Sequence, residues 1–347
     1  MNDVRAAEEW ILAIRMRQFG DVLATLEALR ALRDFDERRR IAFVADAHFH
    51  PVIEGLDFID RLLPSPPDAP GAWLRYVRDI RALRPRAAVD FHGNARTALL
   101  SLASGAPVRA GFEVRGRRYA YTRIEPRAVV VDGHVVPRNS AQSALALAQH
   151  VGAAPSRPQP VRLSVEDDVS TRAHNLLVQA GISARALAAG TVVGINPGRA
   201  YPAREWPRDR FVSLARDLVA IGRTVVVMWG PGEEDPARAI ATQAGSGVVL
   251  APPLSLSELP GALRALSLLV TIDSGLKHLA VCVGTPTVSL FGSTDPREWH
   301  LGGQRDRYLW RGLSCSPCRR LDCPFGAPCM RFEPSEVMQA IRSLEAA

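Results

Sequence analysis

Between Leu266 and Gly292 the chain passes from an apolar stretch, through a short polar turn and a helical pattern, into a second apolar stretch. Leu266, Leu268, Leu269, Val270 and Ile272 read as a buried strand that stops at Asp273, Ser274 and Gly275. A helix follows from Leu276, and the next strand begins near Pro286. Ser274 and Gly275 leave backbone N–H groups free at the start of a helix, which is a ready anion site. Lys277, the only lysine of the chain, and His278 follow within one turn. A phosphate-bearing ligand fits this arrangement.

The same alternation recurs along the chain. In the first part, strands are expected at Ile11–Arg15, Arg40–Ala45, Phe58–Leu62, Ala87–Phe91 and Val108–Phe112. Helical spacing lies between them: Val22, Leu26 and Leu29 after Asp21, then residues 71–83, a stretch ending near Ala103, and residues 141–151. Residues 153–161 hold Pro155, Pro158 and Pro160 and read as a linker. A second set follows. Ser164 and Asp167 are placed to cap a helix ending near Gly181. Strands are expected at Thr191–Asn196 and Thr224–Trp229, with helices at 207–221 and 256–266 and a short extended piece near Val248. Strands alternating with helices mean an α/β fold with a largely parallel sheet. A chain of 347 residues suits about two domains. The reading is two Rossmann-like domains facing a central cleft, residues 1–160 and 161–332, followed by a terminal helix within 333–347.

Functional groups of such folds belong at the C-terminal ends of strands. Those ends hold Arg15, Arg17, Gly20, Asp21, His92, Gly93 and Asn94. Asp21 reads as a general base within reach of an acceptor hydroxyl, or as a helix N-cap, which position alone favours. Residues 115–123, with Arg115, Arg117, Arg118, Tyr119, Tyr121 and Arg123, are an anion-binding loop or a solvated one. Arg199 and Arg204 flank the turn after the Thr191–Asn196 strand, where arginine can pair bidentately with a phosphate. Glu233 and Glu234 are read as complements to a helix dipole. Asp34, Phe35 and Asp36 spell D-x-D but sit in a charged turn, and His48 with His50 is too little for a metal site.

The net charge is +7, and residues 1–160 hold 23 Arg and Lys against 18 Asp and Glu. That excess points to an anionic partner or to a bias toward arginine. No apolar run is long enough for a membrane-spanning helix, and the polar N-terminus lacks the order of a signal peptide. A cytoplasmic protein is expected. Cys282 reads as a core thiol. Cys315, Cys318, Cys323 and Cys329 form C-x2-C-x4-C-x5-C, which in the cytoplasm suggests a structural metal before a disulfide, though the spacing is compact for a zinc ribbon and plain buried thiols are the alternative.

Taken together the motifs resemble the bacterial heptosyltransferase family, glycosyltransferase family 9, and most of all its heptosyltransferase II branch. Ile14 and Arg15 followed by Gly20, Asp21, Val22 and Leu23 are similar to the family's N-terminal signature. Asn196-Pro197-Gly198 through Trp206-Pro207 is similar to its Pro-Gly segment. Asp273-Ser274-Gly275 with His278-Leu279-Ala280, Gly284, Pro286 and Leu290 to Pro296 is similar to its most diagnostic block, and Cys315 to Met330 to a Cys-Pro-rich segment often found there. Arg204 stands where the family usually has lysine, the loop of residues 199–202 is about one residue short, and Lys277 stands where lysine is not fixed.

The resemblance implies a GT-B fold and an inverting, metal-independent transfer of heptose from ADP-heptose to the lipopolysaccharide inner core. It implies Asp21 as base and Arg199, Arg204, Asp273, Ser274, Gly275, Lys277 and His278 on the donor side, with Lys277 adding charge beside the diphosphate. Arg15, Arg17, His92, Asn94, Arg117 and Arg118 would meet an anionic, lipid-linked saccharide acceptor at the inner membrane surface. It also implies no required cofactor and a last helix that crosses back to the N-terminal domain. The alternatives are another nucleotide sugar or acceptor, such as a capsule or a protein, and a non-catalytic nucleotide-sugar or nucleic-acid binder. The sequence lacks the long aromatic-interleaved basic stripe that nucleic acid would call for.

Overall fold

The computed structural model describes residues 8–131, 134–154, 157, 159–198 and 201–346. It divides into two compact units, Met1–Val161 and Arg162–Ala347. Each unit is built round a six-stranded sheet in which every neighbouring pair is parallel.

In the first unit the strands are β1 (Glu9–Ile14), β2 (Arg39–Val44), β3 (Arg61–Leu63), β4 (Ala87–Asp90), β5 (Val108–Phe112) and β6 (Arg123–Glu125), in the order β3-β2-β1-β4-β5-β6. An antiparallel hairpin, β7 (Ala128–Val131) and β8 (His134–Pro137), follows. In the second unit they are β9 (Val192–Asn196), β10 (Thr224–Val227), β11 (Val248–Leu250), β12 (Leu268–Ile272), β13 (Thr287–Phe291) and β14 (Asp306–Trp310), in the order β11-β10-β9-β12-β13-β14. The two orders are the same. Each sheet starts in its middle, winds to one edge, returns to the middle and winds to the other. This is the doubly wound order, with a switch point between β1 and β4 and another between β9 and β12.

Helices on both faces explain why the central strands are buried on both sides and mostly apolar. Every residue of β4, β9, β12 and β13 is buried. The edge strands β3, β6, β11 and β14 keep half-buried or exposed residues. β6 begins at Arg123, the last residue of the stretch read as a loop, and β6, β7, β8 and β14 were not expected. β3 begins at Arg61 rather than Phe58, because Phe58 is buried outside the ladder.

Two helix starts differ from the reading. Helix Phe19–Phe35 is capped by Gln18, so Asp21 stands in its first turn and the N-cap reading of Asp21 fails. Helix Asp167–Gln179 is capped at Glu166, whose side chain makes no cap bond; the chain is still extended there, which leaves Ser164 outside the helix.

The core of the second unit gathers Val193, Ile195, Leu268, Val270 and Leu290 with Trp206 and Phe211. Trp206 packs edge-on to Phe211 with centroids 4.6 Å apart, and its Nε1–H donates to the Phe332 carbonyl at 3.0 Å. Val337, Met338 and Ile341 of the last helix, Pro334–Glu345, complete this core. Its buried face packs on β13, β14 and helix Arg208–Ala220 of the same unit.

Of the Pro-rich stretch, Pro155 and Pro158 lie outside the described residues. The Gln159 N–H donates to the Glu27 carboxylate on helix Phe19–Phe35. Burial pushes that carboxyl up to about 7, against the hydrogen bond from Gln159 and the charge of Arg30. A raised folded-state value makes a contribution to stability that is complete below the unfolded value near 4.5 and is lost as pH rises through about 7. Wild type is therefore expected to lose stability relative to Glu27→Gln as pH goes from 4.5 to 8, measured by urea midpoints. Parallel curves would contradict this.

Candidate functional site

At the switch point of the first unit, β1 delivers Arg15 and β4 delivers Asp90, followed by the turn His92-Gly93-Asn94. Asp90 is fully buried. Its carboxylate accepts from the backbone N–H groups of His92 (3.0 Å) and Gly93 (2.9 Å) and from the Tyr121 hydroxyl (2.7 Å). Burial raises its pKa, and these donors oppose the rise. The carbonyls of the turn are held as well: Arg127 donates to His92 O at 3.1 Å and Arg117 to Gly93 O at 2.5 Å. Gly93 has φ +74°, and a Cβ there would stand 2.9 Å from the Arg127 guanidinium. Glycine is favoured here by the left-handed backbone, and a side chain would also displace the Arg127 guanidinium.

Asp21 forms an ion pair with Arg15, both largely buried, and Arg15 also donates to the Phe91 carbonyl. The Arg17 N–H meets His92 Nδ1 at 3.5 Å, which leaves the proton of a neutral ring on Nε2. Burial, together with Arg15, Arg127 and Arg17, holds His92 at about 4, so it is uncharged at pH 7. The result is a carboxylate beside a cluster of guanidinium groups and a neutral imidazole.

The expected acceptor residues thus divide. Arg15, Arg17, His92 and Asp21 converge. Arg117 is used on the Gly93 carbonyl. Asn94 closes a capping box, with Oδ1 accepting from Thr97 N at 2.9 Å and its own N–H donating to Thr97 Oγ1 at 3.0 Å, so it serves the helix start. Arg118 is exposed and lies 3.7 Å from Glu113. Arg127 was missed in the sequence, because no element was expected between Arg123 and residue 141. Asp90, which a charged residue inside the apolar Ala87–Phe91 run signals, was missed as well.

The second unit repeats the plan. β9 ends in buried Asn196, whose Oδ1 accepts from Gly198 N at 2.9 Å and whose Nδ2 lies 3.4 Å from Thr271 Oγ1 and 3.5 Å from Ser274 Oγ. The Ser274 hydroxyl is therefore turned toward the strand ends. It makes no cap bond to helix Gly275–Val283, whose first-turn N–H groups keep no side-chain cap. His278, one turn in, is buried, and its Nδ1 has no partner among the described residues. Burial, then Lys277, drops its pKa to about 3, so the ring is neutral. Arg204, half-buried with its guanidinium over Tyr201 at 5.8 Å, comes from the turn after β9. Arg199 lies outside the described residues.

Two donor-side expectations change. Lys277 does not stand open to a ligand: its Nζ is buried, 2.5 Å from Asp273 Oδ1 and 3.0 Å from the Trp299 carbonyl. Asp273 is correspondingly occupied, since its Oδ2 accepts from Thr294 Oγ1 at 2.9 Å. Burial alone would raise the Asp273 carboxyl, but the charge and hydrogen bond of Lys277 hold it below the usual range.

The four cysteines of the 315–329 segment are free thiols, from exposed Cys315 to buried Cys329. Among the described residues no three His, Cys, Asp or Glu side chains are grouped to hold a metal ion. The segment braces the loops that follow β9 and β13: Ser316 Oγ donates to Gly292 O at 2.6 Å, Arg319 N to Ser293 O at 2.8 Å, and Ala203 N to Leu321 O at 3.2 Å. No helix among the described residues is long and apolar enough to cross a membrane.

Residues 73–328 match the model of glycosyltransferase family 9 (heptosyltransferase). Lipopolysaccharide heptosyltransferase 1 of Pseudomonas aeruginosa is 31% identical over 129 residues, which is 37% of this chain and 36% of that protein. The chain thus spans about a third of the length of the first curated relatives it matches. Lipopolysaccharide heptosyltransferase 2 of Escherichia coli K12 is 24% identical over 302 residues, 82% of this chain and 83% of that protein. The structure of E. coli ADP-heptose lipopolysaccharide heptosyltransferase II superposes with a TM-score of 0.78 at 20% identity, covering 97% of this chain and 99% of that one. The fold is that of the GT-B glycosyltransferases.

Removing the Tyr121 hydroxyl takes one donor from a fully buried carboxylate. Tyr121→Phe is expected to destabilise the protein by about 1–3 kcal/mol, read from the urea midpoint. A change within measurement error would show that Asp90 does not depend on it.

Proposed function

The chain belongs to glycosyltransferase family 9, and from that premise we propose that it transfers a heptose from ADP-heptose to the lipopolysaccharide inner core, with inversion and with Asp21 as general base. The observation that carries the donor half is the helix start Gly275–Val283. It has first-turn amides without a side-chain cap and a buried neutral His278 whose Nδ1 is unpartnered among the described residues, at the switch point between β9 and β12. As the glycosidic bond breaks, the leaving diphosphate gains charge. Amides and the helix dipole are aimed where that charge develops, and Arg204 adds a cation from the neighbouring turn.

The acceptor half rests on the equivalent switch point of the first unit. Asp21 takes the proton of the attacking sugar hydroxyl as the new bond to the anomeric carbon forms. The ion pair with Arg15 fixes where that carboxylate points. Arg15, Arg17 and Arg127 around a neutral His92 suit the phosphates or carboxylates of a lipid-linked core saccharide. Such an acceptor places the work at the surface of the inner membrane.

Asp21→Asn keeps the size and polarity of the side chain and removes the base. It is expected to lower kcat by about 10²- to 10⁴-fold while leaving ADP binding, followed by thermal shift, within about twofold of wild type. Full activity in this variant would overturn the assignment. Turnover with UDP- or GDP-sugars but not with ADP-heptose would keep the reaction and replace the donor.

A further inference from the structure

The chain carries 43 lysines and arginines together, and only Lys277 is lysine. Everywhere else arginine serves. The exception is also the most buried cation among the described residues: it is 1% exposed, in the first turn of a helix, where the dipole disfavours positive charge. Its ammonium has three partners from three segments. Asp273 Oδ1, before the helix, is 2.5 Å away; the Trp299 carbonyl, at the end of helix Pro296–Trp299, accepts at 3.0 Å; and the Phe291 ring, at the end of β13, lies 4.4 Å below. A compact ammonium with three donors matches two oxygens and a ring face. A planar guanidinium carries five N–H groups, and those left unpaired in so buried a space are costly.

We propose that Lys277 is a positioning residue, a buried post that holds the Asp273 carboxylate, ties the turn of residues 273–276 to the segment of residues 293–300 and so sets the helix-start amides for the donor. The donor itself is the one read above, and the post rests on that reading for its purpose. Thr294 holds one Asp273 oxygen and Lys277 the other, so the carboxylate has no freedom to turn. Segment 293–300 is in turn pinned by Arg319 N to Ser293 O, which continues the brace from the cysteine-rich segment. Lys277 therefore acts through its neighbours, with its charge turned inward.

A single lysine makes the test direct. Labelling with ¹⁵N-lysine gives one side-chain signal, which is expected to be an exchange-protected ammonium at pH 7; rapid exchange, as for a free lysine, would overturn the proposal. Lys277→Arg keeps the charge and changes only its shape. It is expected to weaken ADP binding and to lower kcat/KM for the donor by about tenfold or more, with the acceptor KM unchanged. Wild-type melting temperature and wild-type ADP affinity in Lys277→Arg would overturn the post. The pair Asp273→Asn with Lys277→Met removes both charges together. Recovery of melting temperature without recovery of ADP binding supports positioning, whereas recovery of both would reduce the pair to a structural role. The signal of the labelled lysine and the ADP affinities stand whatever sugar is transferred, so a wrong donor sugar and a wrong role for Lys277 give different results.

Discussion

A parallel sheet wound from its middle has one place where two adjacent strands send their chains to opposite faces, and the candidate functional groups of this protein gather there. Connections between parallel strands must cross over a face. Only at the switch point do neighbouring crossovers diverge and leave the strand ends uncovered. Both sheets have it, between β1 and β4 and between β9 and β12. Ile14 pairs with Asp90 at one, and Asn196 pairs with Thr271 at the other. The residues that follow these four, from Arg15 to Asp21, His92, Gly198 and the 273–278 turn, are the candidate groups in each unit.

Buried charge is handled differently at the two places. Asp90 has no directly bonded cation among the described residues; it is held by backbone amides and a tyrosine hydroxyl, and its pKa rises. Asp273 has Lys277, and its pKa falls. Beside each stands an imidazole kept neutral, His92 at about 4 and His278 at about 3, in both cases by burial first and neighbouring cations second. A neutral ring can accept at one nitrogen and donate at the other, which suits recognition of hydroxyl and phosphate oxygens without adding charge to a crowded site.

How much of this was legible in the sequence follows the burial of each strand. The central strands are buried throughout, so their apolar runs name themselves. Edge strands pair on one side and face solvent on the other, so Arg123-Ile124-Glu125 and Asp306 to Trp310 carry mixed residues and escaped notice. With β6 went Arg127. The anion-ready turn at Ser274 and Gly275 was legible because an apolar strand runs directly into a helical pattern there, which leaves the first-turn amides at a strand end. Lys277 was misjudged for a reason the sequence cannot show: a lysine beside a candidate ligand turn reads as open, and only packing against Phe291 and Trp299 reveals that it faces inward. Ser164 and Asn94 show the same limit, since which polar residue becomes a cap depends on where the chain leaves its extended course.

The central claim is that the helix start at Gly275 receives the diphosphate of the donor. Amide hydrogen exchange of the full chain with and without ADP tests it residue by residue. The account expects slower exchange at residues 275–278 and in the turn after β9, with no comparable change at residues 15–21 or 92–94. Protection confined to the first unit, or none at residues 275–278 when ADP is bound, would contradict it.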